Sequence, residues 1–263
     1  MFSFGFNVKS RKAGGVSYDA DAQTFFTAAS ITDTTQKSAV NQLVLDLKSY
    51  GVWTKCSAIY PIVGGSASSH AVNLKTPGTF NLTFATGMTH SSTGMVSNGS
   101  TGYANTNIIP SVNLSQNNTH VSYYSRTNVN LTQVEIGATT SGAAPLSILE
   151  IRTSGISYLN LSANAYITYT DANSQGFYIG SRTASNAIKL YKNNSNVASG
   201  TTASTGQANT ALSLCAQNNG ASRVNYSTKQ CAFASIGNGL TDTEAANFYT
   251  AVQAYQTTLS RQL

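Results

Sequence analysis

The feature that most constrains this chain is the stretch 58–236. It reads as about a dozen short β-type segments separated by Gly, Asn, Ser and Thr. Strand-like runs fall at 58–63, 80–84, 120–126, 133–138, 146–152, 156–161, 165–170, 176–181, 188–192, 210–217 and 230–236. Many short strands with turn residues at regular spacing are the signature of a two-sheet sandwich or a barrel. In 120–126 the period is two, with Val121, Tyr123 and Ser125 on one face and Ser122, Tyr124 and Arg126 on the other.

The flanks have another period. Residues 1–18 read as an extended arm, in which Phe2, Phe4 and Phe6 alternate with small residues ahead of Lys9, Arg11 and Lys12. Such an arm suits docking by strand addition to a partner's sheet edge. A helix is expected over 19–29, capped by Asp19 or Asp21. A second is expected from the Thr32-Asp33-Thr34 cap to Tyr50, with an apolar stripe at Val40, Leu43, Val44 and Leu47 and Gly51 as its stop. Trp53 follows as a plug between helix and sandwich. The last helix opens on a capping box, Thr241 with Glu244, and carries Phe248, Val252, Tyr255 and Leu259 on one face to the terminus. The expected organisation is an arm at 1–18, a helical segment at 19–55, a sandwich at 56–239 and a C-terminal helix at 240–263.

Composition narrows the function classes. Only 9% of the residues are charged, while 14 Tyr and 10 Phe are ample for a core. The chain carries a net charge of +6, and within 51–239 nine Lys/Arg stand against Glu135, Glu150 and Asp171. That excess is spread singly, whereas nucleic-acid readers cluster it, so no nucleic-acid partner is expected. Three cysteines, Cys56, Cys215 and Cys231, contain no C-x-x-C, and buried free thiols are preferred to a Cys215–Cys231 bridge. No signal peptide and no apolar run of membrane-spanning length is read, so a soluble chain outside the general export route is expected.

Further along, the residues resemble a known family. Gly176-Phe177-Tyr178-Ile179-Gly180-Ser181, followed by Ile188-Lys189-Leu190-Tyr191-Lys192-Asn193, resembles the paired strands of laminin-G-like (concanavalin A-like) domains. Phe233-Ala234-Ser235-Ile236-Gly237 with Leu240-Thr241-Asp242-Thr243-Glu244 is similar to that superfamily's last strand and helix start. Residues 19–260, including Tyr50-Gly51-Val52-Trp53-Thr54-Lys55 and Tyr60-Pro61-Ile62-Val63-Gly64-Gly65, resemble a module of tailed-bacteriophage structural proteins. The resemblance implies an all-β, antiparallel jelly-roll sandwich that binds glycan or a surface more often than it catalyses. Laminin-G-like domains often hold calcium through acidic loops; three scattered acids speak against a tight site here, and no cofactor or metal is expected.

Catalysis has weak footing. A glycosidase needs two carboxylates about 5–10 Å apart, and Glu135 and Glu150 read as single face charges. His70 and His90 sit in Ser-rich loops, where exposed histidines are the simpler reading than a metal pair. Glycan binding needs aromatic faces flanked by Asn and Arg, for which Tyr103, Asn105, Tyr124, Arg126, Tyr178 and Arg182 are the candidates. A Ser-Arg motif at 125–126 echoes at 181–182 and 222–223. The expectation is a non-enzymatic virion protein on the particle surface, assembled in the host cytoplasm. It would be docked to other virion proteins by its arm, attached to host surface polysaccharide and homo-oligomeric. The alternatives are a capsid decoration or head-fibre protein, with head and tail undistinguished, and a glycan-active hydrolase.

Overall fold

The structure is a computed structural model describing residues 17–140 and 143–263; the arm candidates Phe2, Phe4, Phe6, Lys9, Arg11 and Lys12 lie outside the described residues. Two helices come first, α1 (Ala20–Ala28) and α2 (Thr34–Ser49). Asp19 caps α1 by accepting from the Asp21 amide, and Asp33 caps α2 by accepting from Gln36 at 2.8 Å. Gly51 follows α2 with φ +73°, the left-handed conformation that a helix stop requires. The two short helices α3 (Ala67–His70) and α4 (Pro110–Asn113) lie in connections, and α5 (Asp242–Thr258) closes the chain. The Thr241–Glu244 capping box forms as read. The helix stops short of the terminus, however. Arg261 then turns inward, its guanidinium donating to the Ile62 carbonyl at 2.7 Å and to Gln256 at 2.9 Å.

Among the described residues the strands form two sheets, of eight and nine strands. The back sheet contains β1 (Cys56–Tyr60), β3 (Met88–Ser91), β4 (Gly94–Ser97), β6 (Thr119–Ser125), β11 (Gly176–Ala184), β12 (Ala187–Lys192), β13 (Ser195–Gly200) and β17 (Cys231–Gly237). Its order is β13-β12-β11-β6-β17-β4-β3, with β1 also on β17. The front sheet contains β2 (Thr83–Phe84), β5 (Ala104–Asn105), β7 (Ile136–Thr140), β8 (Ala143–Thr153), β9 (Ile156–Ala163), β10 (Ile167–Thr170), β14 (Ser213–Leu214), β15 (Gln217–Asn218) and β16 (Arg223–Val224). Its order is β10-β9-β8-β7-β14-β5-β2, with β15 parallel on β7 and the other strand pairs antiparallel. This is the expected antiparallel sandwich.

The layers explain the burial. One apolar cluster fills the space between the sheets: Val121, Tyr123, Tyr178, Leu190 and Ile236 face Ile136, Leu149, Ile151, Leu159 and Leu161. A second lies on the far side of the back sheet, where Tyr124, Phe177, Ile179, Tyr191 and Phe233 meet Phe25, Val40, Leu43, Phe248 and Val252 of α1, α2 and α5. Phe248 stands edge-on to Phe177 and Phe233, with centroids 5.3 and 5.8 Å apart. Each fully buried Phe contributes about 1.5–3 kcal/mol. The back sheet is therefore covered on both faces. All seven residues of β6 are buried, so its period of two separates one core from another rather than core from water. Trp53 sits under Lys75, whose Nζ is 4.4 Å from the ring centroid. The three cysteines are free and buried.

Candidate functional site

Because helices occupy the back sheet, the broad face of the sandwich that no described helix covers is the outer face of the front sheet. Ala104 and Leu214 point into the inter-sheet core, so alternation turns Tyr103, Asn105 and Ser213 outward. Register places Asn105 opposite Ser213, and Ser213 opposite Gly137. At Gly137 the β15–β16 hairpin lies close against β7, since a Cβ there would come within 3.0 Å of the Gln217 Cα. The hairpin carries Arg223 over Tyr103, with the guanidinium carbon 4.8 Å from the ring centroid. The Arg223 Nε donates to the Ser213 hydroxyl at 2.8 Å, and its Nη1 donates to the Asn218 side-chain oxygen at 2.8 Å. Both acceptor residues are buried, so a half-exposed arginine is held in one pose on a half-exposed tyrosine. Stacked Arg and Tyr with an adjacent amide offer a flat apolar surface rimmed by fixed donors, a surface chemistry suited to a sugar.

Of the six predicted ligand residues, Tyr103 and Asn105 meet here. The other four do not join them. Tyr124 is buried under α5, where its hydroxyl donates to Gln253 at 3.2 Å and accepts from the Leu263 amide at 3.1 Å. Tyr178 is buried between the sheets and donates to the Asp171 carboxylate at 2.6 Å. Arg182 is fully buried; its Nε donates to the Leu161 carbonyl at 2.7 Å and its Nη1 to Ser185 at 2.7 Å and Thr202 at 3.1 Å. These three are closed to ligand because covered layers surround them. Arg126 is half-buried and serves the C-terminal tail, donating to the Arg261 carbonyl at 3.1 Å and to Gln230 at 2.9 Å. Arg223 was missed as a ligand residue, although the Ser-Arg echo marks its position.

The acids depart from the single face charges expected. Glu135 is fully buried: Lys229, also fully buried, reaches it at 3.1 Å, Ser227 donates to it at 2.7 Å, and the Ile151 amide donates to its second oxygen. Burial pushes its carboxyl up, and Lys229 opposes that. Glu150, on the neighbouring strand, is pushed up to about 7 by burial and then by Glu135. Asp171 is held by Lys192 at 2.6 Å and Ser157 at 2.8 Å besides Tyr178. With Glu135 sealed by its own partners, the two glutamates do not flank a substrate as a glycosidase pair must.

The histidines are not exposed loop residues either. His70 on α3 and His90 on β3 meet Nδ1 to Nδ1 at 2.9 Å, one ring donating and the other accepting, and His70 is buried. Burial, then His90 and Arg261, lowers His70 to about 3. The pocket at the start of α5, lined by Thr183, Lys189, Tyr191 and Asp242 among others, holds about 230 Å³. That is below the several hundred Å³ of small-molecule sites, and Lys189 and Tyr191 already engage Asp242 at 2.7 and 2.6 Å.

No family model and no curated protein matches this sequence. Solved structures do resemble it. One, on cell entry of botulinum neurotoxin type C and its dependence upon interaction with two ganglioside molecules, superposes with a TM-score of 0.58 at 11% identity, covering 78% of this chain and 53% of that chain. Another, the binding domain of botulinum neurotoxin DC in complex with SialylT, gives 0.58 at 9% identity over 76% and 52%. The binding domain of botulinum neurotoxin serotype D gives 0.50 at 14% over 75% and 52%. This chain spans about half the length of those chains. At such identities the likeness defines the fold: a two-sheet β-sandwich of the kind found in these binding domains.

Proposed function

We propose that this protein is a lectin-like attachment module that binds surface glycan through the outer face of the front sheet, and that it works on the surface of a tailed-phage particle. The observation that carries the glycan reading is Arg223 fixed over Tyr103 beside Asn105 on the broad sheet face that no described helix covers. Ganglioside dependence and SialylT binding among the neurotoxin structures support it. The virion context rests on the resemblance of segments such as 50–55 and 60–65 to phage structural proteins, with the arm 1–18 as the docking element. Non-enzymatic action fits a Glu135 whose oxygens are occupied. Host polysaccharide is the ligand class, and avidity from several copies would strengthen weak single-site binding.

The test is a glycan array probed with the wild type and with Tyr103→Ala and Arg223→Ala. Binding by the wild type that falls about tenfold or more in each variant, equal to about 1.4 kcal/mol, is the expected result. A wild type that binds no glycan, or variants that bind as well as it does, would overturn the assignment. Immunogold labelling of particles tests the virion context separately: label on head or tail is expected, and bare particles would remove it.

A further inference from the structure

A second cluster lies on the same outer face, toward the opposite edge of the front sheet. Glu150 of β8 stands directly across from Tyr158 of β9. Leu149, Ile151 and Leu159 point into the inter-sheet core, so Glu150 and Tyr158 point outward. Tyr166 precedes β10, whose Ile167 also points inward. Its ring packs edge-on against Tyr158, with centroids 5.8 Å apart at 84°. Tyr166 is one of the most exposed aromatic side chains among the described residues, at 37%. The cluster is three strand spacings from Asn105 along β8-β7-β14-β5, about 14 Å.

Glu150 lacks the lysine partner that most of the acids have. Asp19, Asp21, Glu135, Asp171, Asp242 and Glu244 each have a lysine within 3.2 Å. Asp33 caps α2, and Asp46 accepts from Gln42 at 2.7 Å. Glu150 takes part in no ion pair among the described residues and has the Thr153 side chain as a hydrogen-bond partner. Arg152, two residues on, is turned away to the Asp171 carbonyl at 3.1 Å and to Asn128 at 3.0 Å. Lys229 is committed to Glu135. In a chain of net charge +6, this carboxyl is partly buried beside two tyrosine rings without a counterion. Its upward displacement to about 7 is the electrostatic trace of that situation.

A cation placed against Glu150 relieves the deficit. An ammonium donates charge-assisted hydrogen bonds to a carboxylate and is drawn to tyrosine faces. We propose that Glu150, Tyr158 and Tyr166 form a second subsite on the front sheet that takes the protonated amine of an amino sugar. This rests on the glycan reading of that face, and it adds a charge requirement that the Tyr103–Arg223 patch does not have.

The experiment is an NMR titration of the full chain with glucosamine, N-acetylglucosamine and methylammonium, following the tyrosine ring signals. Glucosamine is expected to shift Tyr158 and Tyr166 and to bind about tenfold more tightly than the uncharged N-acetyl sugar, the size of one lost charged hydrogen bond. Glu150→Gln, which keeps the side chain's shape, should abolish that preference, and Tyr166→Ala should weaken binding of the amine. Equal affinity for glucosamine and N-acetylglucosamine, or no change in Glu150→Gln, overturns the proposal. Equal affinity for methylammonium overturns the amino-sugar assignment. Tyr103→Ala should leave this titration unchanged while losing array binding, which separates a failure here from a failure of the glycan reading.

Discussion

The Lys229 ammonium lies 3.1 Å from the Glu135 carboxylate, and neither side chain exposes any surface. Gln133 accepts from the same ammonium at 3.2 Å. Removing one partner leaves the other charge buried without compensation, which costs about 3–5 kcal/mol. Lys229→Met should lose that much in urea unfolding. The double variant Glu135→Gln/Lys229→Met should regain at least half, because no charge remains to be desolvated. A loss below about 1 kcal/mol in the single variant would show that the pair does not hold the front sheet to the 227–229 segment.

Tyr178 and Tyr103 should separate stability from binding. The Tyr178 hydroxyl is one of several donors on Asp171. Tyr178→Phe should cost about 1–3 kcal/mol and leave glycan binding intact. Tyr103→Ala should do the reverse, lowering stability by less than about 1 kcal/mol and removing array binding. Calorimetry beside the array distinguishes the two.

Acid should weaken the fold earlier than carboxylates alone predict. Burial lowers His120 from 6.5 to about 4, against the pull of the Asn238 carbonyl, and His70 falls to about 3. The unfolded chain takes up these protons near pH 6.5 and the native chain does not. Their contribution is complete above that value and is lost as pH falls toward 4, with His120 alone worth about 3 kcal/mol. Glu150 acts in the opposite sense: raised from 4.5 to about 7, it gains native stability as pH falls through that window. Urea midpoints at pH 7.5 and 4.5 should show a net loss. Glu150→Gln should steepen it and His120→Asn should flatten it; a midpoint independent of pH would refute the account.

Gly237 is fixed by space. A Cβ there would strike the Lys55 carbonyl oxygen and come within 2.8 Å of the Cys56 Cα, both of them backbone. Gly237→Ala should cost about 1–3 kcal/mol or more by forcing β1 and β17 apart. At Gly78, with φ +92° and nothing within 4 Å, alanine meets only the cost of the left-handed backbone, about 1 kcal/mol. Thermal melts of the two variants should rank in that order.

The helices were legible because their signals are local: Asp33 before α2, Gly51 after it, Thr241 with Glu244 before α5. The sandwich was legible from strand spacing. Which tyrosines face water was not. Tyr124 and Tyr178 sit on alternating strands and Tyr103 just ahead of one, and alternation names two sides without saying what covers either. Tyr124 is lost to α5, which lies more than a hundred residues away in sequence, and Arg182 to carbonyls from two other segments. Glu135 read as a face charge because its partner, Lys229, comes from a distant connection. The Tyr103–Arg223 stack likewise joins residues far apart in sequence, and the Ser-Arg echo was its one local trace.

The helical layer on the back sheet has one more consequence. Tyr18, at the start of the described chain, packs edge-on against Phe26 in that layer, with centroids 5.2 Å apart. That layer and the Tyr103–Arg223 face lie on opposite sides of the sandwich. A support gripping the helical layer would set the molecule as a tile on its mortar, glazed side outward. Every copy held this way would turn the Tyr103–Arg223 face in the same direction, an aim set by the layering of the single chain.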